Sequence, residues 1–240
     1  MASAIIHMAI ASELNKDLKR DESKLLIGTI APDISKLVGE TKIKSHFQLE
    51  EDEIPHLDLF LKKYKKYLYD DFVLGYYIHL FVDYLWFKYF MSEIYGKYIT
   101  KLDGTVVEAN EENYKKYIYN DYTNLNIRLI DEYDMNLKIF YNDIPKLNKI
   151  IEEIPMDKIN IVIDKVSLII ENSKTKKDYV FNIENIKRFI DTSVKLIGSD
   201  LNDLLNGGKY EWLFRICKRY SLLCWGSYEK VFWWWYKNWI

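Results

Sequence analysis

The segment FVLGYYIHLFVDYLWF, residues 72–87, constrains the fold more than any other stretch, because it is apolar almost throughout yet carries a histidine and an aspartate at its centre. A helix that is hydrophobic on all sides belongs inside a protein. Ionisable groups buried there are costly unless something compensates them, so His79 and Asp83 need a partner. Residues four apart lie on one helical face, about 6 Å apart along the axis, where both side chains reach a single ion. Two compensations are open, a shared divalent metal or a buried hydrogen bond from His79 to Asp83. The run also approaches the length of a membrane span, a reading that the Asp and His at its centre disfavour.

The rest of the chain extends the helical pattern. Four prolines and nine glycines are few for 240 residues. Apolar residues recur at helical spacing at Ile6, Ile10 and Leu14, and again in the run from Leu61 and Leu68 to Phe72 and Gly75. The expected fold class is all-α, a compact multi-helix domain, rather than a sandwich or a parallel sheet. Asp70 and Asp71 are placed to cap the helix carrying His79 and Asp83, which is expected to continue to Tyr95 before Gly96. GTIAPDISKLVGETKIKSHF, residues 28–47, has the Gly, Pro and Ser punctuation of an irregular connection. LDGTVVEANEEN reads as a turn or short hairpin, after which Asn110 caps a helix from Glu111. Later helices are expected near residues 113–141, 156–171 and 183–205, with Pro145 and Pro155 marking breaks.

All four histidines, His7, His46, His56 and His79, fall within the first 79 residues. Singly, each candidate near them has an ordinary reading. Asp33 after Pro32 is a turn residue, His46 a loop histidine, His7 a core histidine with a satisfied ring, and His56 after Pro55 a surface histidine. Together, His7, Asp33, His46, His79 and Asp83 offer three imidazoles and two carboxylates, a ligand set suited to zinc or a similar divalent metal and to hydrolytic chemistry.

The succession His7, then LLIGTIAPDI with Asp33, then KSHF with His46, then GYYIHLFVDYLW with His79 and Asp83 resembles the zinc-dependent phospholipase C family, whose fold is shared by single-strand-specific zinc nucleases. Beyond this stretch only the helical character agrees. The resemblance implies that Asp33, His46, His79 and Asp83 hold one Zn2+, with Asp83 bridging towards a second ion near His7. It implies that Asp33 orients or deprotonates the attacking water, while the cation lowers that water's pKa and neutralises charge on the phosphoryl oxygens. Secreted members complete the ion near the first histidine with a mature amino-terminal tryptophan, whereas MASAII precedes His7 here, so one or two ions are expected. Members with three ions take further histidines from later helices, and no histidine follows His79. Asp121, Asp131 and Asp134 are candidate substitutes, though each reads more simply as part of a solvated face. Tyr76 and Tyr77 are candidates for stabilising the leaving oxygen. The implied function is metal-dependent hydrolysis of a phosphoester, phospholipid included. The alternatives are a single-strand nuclease of the same fold and a membrane-associated protein with a structural metal.

Thirty-six acidic residues against 34 basic ones leave a formal charge of −2, so no general field for polyanions exists and nucleic acid is not an expected partner. Composition shifts after Gly207-Gly208: residues 209–240 hold six of the seven tryptophans, both cysteines, and six basic residues against two acidic ones. The expected organisation is a hydrolase domain at 1–208 and an aromatic, basic helical tail at 209–240. Such a tail fits a lipid headgroup boundary and a peripheral membrane contact. A closing helix packed on the domain and a loosely ordered appendage are the other readings. Cys217 and Cys224 match neither a disulfide framework nor a compact metal knuckle, and MASAIIHMAIASELNK lacks the cationic start of a signal peptide. A cytoplasmic location is the expectation.

Overall fold

The computed structural model describes residues 2–51, 53–91, 97–174 and 177–206. The aromatic tail, the expected boundary after Gly208 and the expected end of the central helix near Tyr95 lie outside the described residues. The chain falls into two compact units, Met1–Ile197 and Gly198–Ile240, and the candidate residues all belong to the first.

Its regular structure is helical: α1 (Ala4–Leu18), α2 (Glu22–Ile30), the single turns α3 (Ile34–Leu37) and α4 (Lys42–Ser45), α5 (Leu57–Tyr64), α6 (Asp71–Leu85), α7 (Glu111–Asn113), α8 (Asn120–Glu132), α9 (Asn160–Glu171) and α10 (Ile183–Leu205), which runs on into the second unit. One antiparallel hairpin, β1 (Tyr98–Thr100) and β2 (Val106–Glu108), pairs Ile99 with Val107 where LDGTVV predicts a turn. The all-α class therefore holds among the described residues, with this hairpin as its one departure. No helix among them is long and apolar enough to cross a membrane.

Side-chain caps set the helix starts. Ser3 accepts from the Ile6 N–H at α1, Asp21 from Lys24 at α2, Asp70 from Phe72 and Val73 at α6, and Asn110 from Asn113 at α7. Asp70 also explains a difference from the sequence pattern. The helical run through Leu61, Leu68, Phe72 and Gly75 is broken, because α5 ends at Tyr64, a 3-10 turn covers Lys65–Tyr67, and α6 starts afresh. With its carboxylate bonded to the first N–H groups of α6, and to the Asn148 amide at 2.7 Å, Asp70 stands at a helix start rather than inside a helix. The expected irregular connection at 28–47 is more helical than its punctuation suggests: Gly28–Ile30 close α2, and a 3-10 turn at Ala31–Asp33 leads into α3 and α4. The helix expected over 113–141 passes through a π-helical stretch, Tyr114–Tyr119, and ends at Glu132, with Asp134 left-handed at φ 43°.

Helix α6 is buried from Phe72 to Leu85, as an all-round apolar helix must be. Its closest neighbour is α2, and the two backbones touch at Gly28 and Gly75. A Cβ on Gly28 would stand 2.3 Å from the Phe72 carbonyl oxygen, and one on Gly75 2.1 Å from that of Leu25. This contact brings the end of α2 beside His79. Helix α1 packs on both, and α5 covers another side of α6, where Phe60 stacks on Tyr76 and Tyr77 at 5.8 and 5.6 Å. The irregular segment before α9 is tied down by Tyr64, whose hydroxyl donates to Glu153 at 2.6 Å.

Candidate metal centre

Four segments converge on one turn of α6. His79 and Asp83 come from α6 itself, His7 from α1, Asp33 from the 3-10 turn after α2, and His46 from the residue that ends α4. All five residues singled out in the sequence stand together. The His7 and His79 rings stack with centroids 4.0 Å apart and planes 11° apart, and His46 meets His79 edge-on at 5.1 Å. Asp83 lies between them. Its Oδ1 is 3.3 Å from His7 Nε2, and its Oδ2 is 3.6 Å from His79 Nε2 and 3.7 Å from His46 Nε2. Asp33 Oδ1 is 3.7 Å from His46 Nε2, and the Nε2 atoms of His46 and His79 are 3.2 Å apart. Two groups of potential ligand atoms result, His7–His79–Asp83 and Asp33–His46–His79, each with its atoms within 4.8 Å of one another.

The imidazoles are oriented from behind. Pro32 lacks the N–H that would continue the α2 ladder, and carbonyls of its last turn are left for other donors. That of Thr29 lies 2.7 Å from His79 Nδ1. A carbonyl only accepts, so Nδ1 carries the proton and Nε2 turns its lone pair to the cluster, the arrangement of a histidine ligand with a backbone partner. His46 Nδ1 is 2.9 Å from Ser45 Oγ, and the Tyr76 hydroxyl donates to the Ser45 carbonyl at 2.5 Å.

A direct His79–Asp83 hydrogen bond is not formed, since 3.6 Å is beyond its range. Instead, His7 Nδ1 and Nε2 and Asp83 Oδ2 are buried with no hydrogen-bond partner, and the Ala2 N–H donates to Asp83 Oδ1 at 3.1 Å. Each orphaned group costs roughly 1–3 kcal/mol, and a cation between His7 and Asp83 would satisfy His7 Nε2 and the Asp83 carboxylate. The donor set, nitrogen and carboxylate oxygen only, fits a zinc-like ion.

Charge within the cluster is strongly biased. Burial pushes the Asp33 carboxyl up, but the Lys42 ammonium, then His79 and His46, hold it well below the usual carboxylate range. Asp83 likewise overcomes its burial through contact with His7 and the fields of His7 and His79. Burial, His7 and Lys42 depress His79 to about 4, and burial, Lys42 and His79 push His46 well down. At neutral pH the site therefore holds two carboxylates and neutral rings at His46 and His79, the protonation states of metal ligands.

Other candidates fall elsewhere. Tyr76 is fully buried with its hydroxyl committed to Ser45, which removes it as a leaving-group donor, and the ring of Tyr77 packs against Phe60 and Phe81. Asp121 is not a solvated residue but a buried one, accepting from the backbone N–H groups of Tyr179, Val180 and Phe181 at 2.9, 2.7 and 3.1 Å. Asp131 and Asp134 are exposed, and His56 pairs with Glu53 at 3.0 Å, outside the cluster. Sequence reasoning missed Lys42, whose ammonium is paired with Asp33 Oδ1 at only 8% exposure of the residue. Its signal was the spacing to His46, four residues on, across one turn of helix. No family model, curated protein or solved structure matches this chain.

Proposed function

We propose that this chain is a metal-dependent hydrolase of phosphoesters, with zinc the ion its donors favour. One observation carries the reading: His7 Nε2 and Asp83 Oδ2 are buried and without hydrogen-bond partners inside a cluster of three imidazoles and two carboxylates. The order of those ligands, similar to that of the zinc-dependent phospholipase C family, supports the phosphoester class and the corresponding type of helical fold. A bound divalent cation supplies positive charge to phosphoryl oxygens and lowers the pKa of a water.

The protein's own residues position that chemistry. His79, fixed by Thr29, and His46, beside Ser45, orient their lone pairs, and Asp83 turns one oxygen to His7 and the other to the remaining imidazoles. Asp33 is the open ligand: its side chain is 26% exposed, while those of His7, His79 and Asp83 are fully buried. A purely structural ion is closed off by its ligands, so a ligand facing solvent favours catalysis. Asp33 takes a proton from the attacking water as its oxygen bonds to phosphorus. The ester P–O bond breaks, its electron pair leaves with the ester oxygen, and solvent protonates that oxygen and recovers the proton from Asp33.

Metal analysis of protein purified without added zinc, paired with hydrolysis of a chromogenic phosphodiester, tests the reading. Stoichiometric divalent metal and activity lost on chelation and restored by zinc are the expected results. Protein without bound metal, or activity indifferent to chelation, would falsify it. Turnover of single-stranded DNA in place of phospholipid headgroups would assign the nuclease alternative.

A further inference from the structure

The turn that delivers His46 has little of its own to hold it. Helix α4 is four residues long, Thr41 at its start gives it no side-chain cap, and among the described residues no backbone N–H donates to the Ser45 carbonyl. A single turn closes too few hydrogen bonds to offset the entropy of ordering it. The chain then leaves through Phe47 at φ 53°, a left-handed conformation that strains a bulky residue and persists only where its neighbours impose it. Helices α5 and α6 supply what is missing. The Tyr76 hydroxyl, fully buried on α6, donates to the Ser45 carbonyl at 2.5 Å. The Phe47 ring meets Phe60 of α5 edge-on at 5.2 Å, and Phe60 stacks on Tyr76 at 5.8 Å with the planes 12° apart.

We propose that Tyr76 is a positioning residue for the metal centre, its hydroxyl holding α4 so that His46 Nε2 faces the ion. The proposal rests on the metal-hydrolase reading. Tyr76 and His79 lie three residues apart on one face of α6, so the helix that carries one imidazole ligand also grips the turn that carries another. The Ser45 carbonyl and the His46 N–H belong to one planar peptide unit. Tyr76 fixes that plane at its oxygen, and the Lys42 carbonyl fixes it at its nitrogen, at 2.8 Å. The ring is set from the same residue: Ser45 Oγ, 2.9 Å from His46 Nδ1, accepts its proton and turns its own towards the Lys42 carbonyl at 3.4 Å. Nε2 therefore keeps its lone pair for the cluster. It lies 3.2 Å from His79 Nε2 and 3.7 Å from Asp83 Oδ2, and Oδ2 is 3.6 Å from His79 Nε2. Separations of that size suit ligands sharing one ion at bond lengths of about 2.0 Å. A turn free to shift by about 1 Å takes Nε2 out of that range.

Tyr76→Phe deletes the hydroxyl and keeps the ring against Phe60, so the zinc affinity of the full-length chain, read by competition with a chromogenic chelator, tests this. Affinity is expected to fall on the order of 10- to 100-fold, and the visible absorption of the Co2+-loaded chain, which reports ligand geometry, to change. Tyr64→Phe is the comparison. It removes another tyrosine hydroxyl, the donor to Glu153 outside the cluster, and is expected to leave zinc affinity and the Co2+ spectrum as they are even where the melting temperature drops. Unchanged affinity or an unchanged Co2+ spectrum in Tyr76→Phe overturns the role of Tyr76 and leaves the metal centre standing. Equal losses of affinity in both variants, tracking melting temperature, make Tyr76 a support of the fold only, which also overturns it. An unaltered chain that takes up no zinc sinks the metal reading and this proposal together.

Discussion

His79 belongs to both groups of ligand atoms, so its protonation bears on the whole cluster. Its ring is held down at about 4 by burial and by His7, against about 6.5 for an exposed histidine. Between those values the unfolded chain binds more protons than the folded one, so the stability of the metal-free protein rises with pH through that window. The contribution is fully present above about 6.5 and is lost as pH falls towards about 4; His46, depressed in the same direction, adds to it. Urea unfolding of chelated protein should show a midpoint that is flat from about pH 7 to 8 and falls steadily below. A midpoint unchanged down to pH 4 would mean that these rings are not buried as neutral groups. His79 and Asp83 are legible in the sequence because a histidine and an aspartate inside an apolar helix demand compensation, whereas His7, Asp33 and His46 stand out only through their order along the chain. Lys42 is not legible, because a lysine in TKIKSHF looks like any solvated cation until folding closes α4 over Asp33.

At the scale of elements, the site depends on how closely α2 approaches α6. Thr29 reaches His79 only because Gly28 and Gly75 let the backbones touch, and a Cβ at either position would stand 2.3 or 2.1 Å from a carbonyl oxygen of the other helix. Neither neighbour is a flexible side-chain tip that can move aside. Gly75→Ala should cost about 1–3 kcal/mol or more and weaken zinc binding, read by thermal melting and by competition with a chromogenic chelator. Normal zinc affinity in a destabilised variant would detach the helix contact from the ligand geometry. Asp121→Ala gives the contrasting result: it strips the backbone N–H groups of Tyr179, Val180 and Phe181 of their acceptor without removing a ligand, so it should cost roughly 3 kcal/mol and leave zinc affinity unchanged in the folded fraction. Periodicity located α1, α6, α9 and α10, whose apolar faces are continuous. Periodicity alone runs through the break before α6, because Leu68 keeps the helical spacing, and the start is marked instead by Asp70, the cap expected from the sequence and found bonded to the first N–H groups of the helix. Asp121 was read as surface for a similar reason: its acceptors' partners lie at Tyr179–Phe181, a contact no local pattern encodes.

Over the molecule as a whole, the cluster joins segments that the chain delivers separately. His7 arrives on α1, Asp33 and His46 on the short turns between α2 and α5, and His79 and Asp83 on α6, while α8 and α9 contribute no ligand among the described residues. Amphipathic spacing shows that α1 is a helix with a buried face but not which helix that face meets, so the stacking of His7 on His79 could not be read in advance. An ion held by these residues would act as a clamp on the N-terminal part of the first unit. Binding to the folded state alone stabilises it by about 2.7 kcal/mol when free metal is 100 times the dissociation constant. That energy is spread unevenly, because only the segments bearing ligands lose a constraint on chelation. Hydrogen exchange with and without zinc should therefore show faster exchange, without metal, in α1 and in residues 31–46, and unchanged protection in α8 and α9. His79→Ala removes the residue shared by both groups, so it should exchange like the chelated protein whether or not zinc is added. Equal loosening of α8 and α9 would instead mark the ion as a global folding determinant. That outcome would favour a structural metal over a catalytic one, because a catalytic ion needs only its own supporting shell to be rigid.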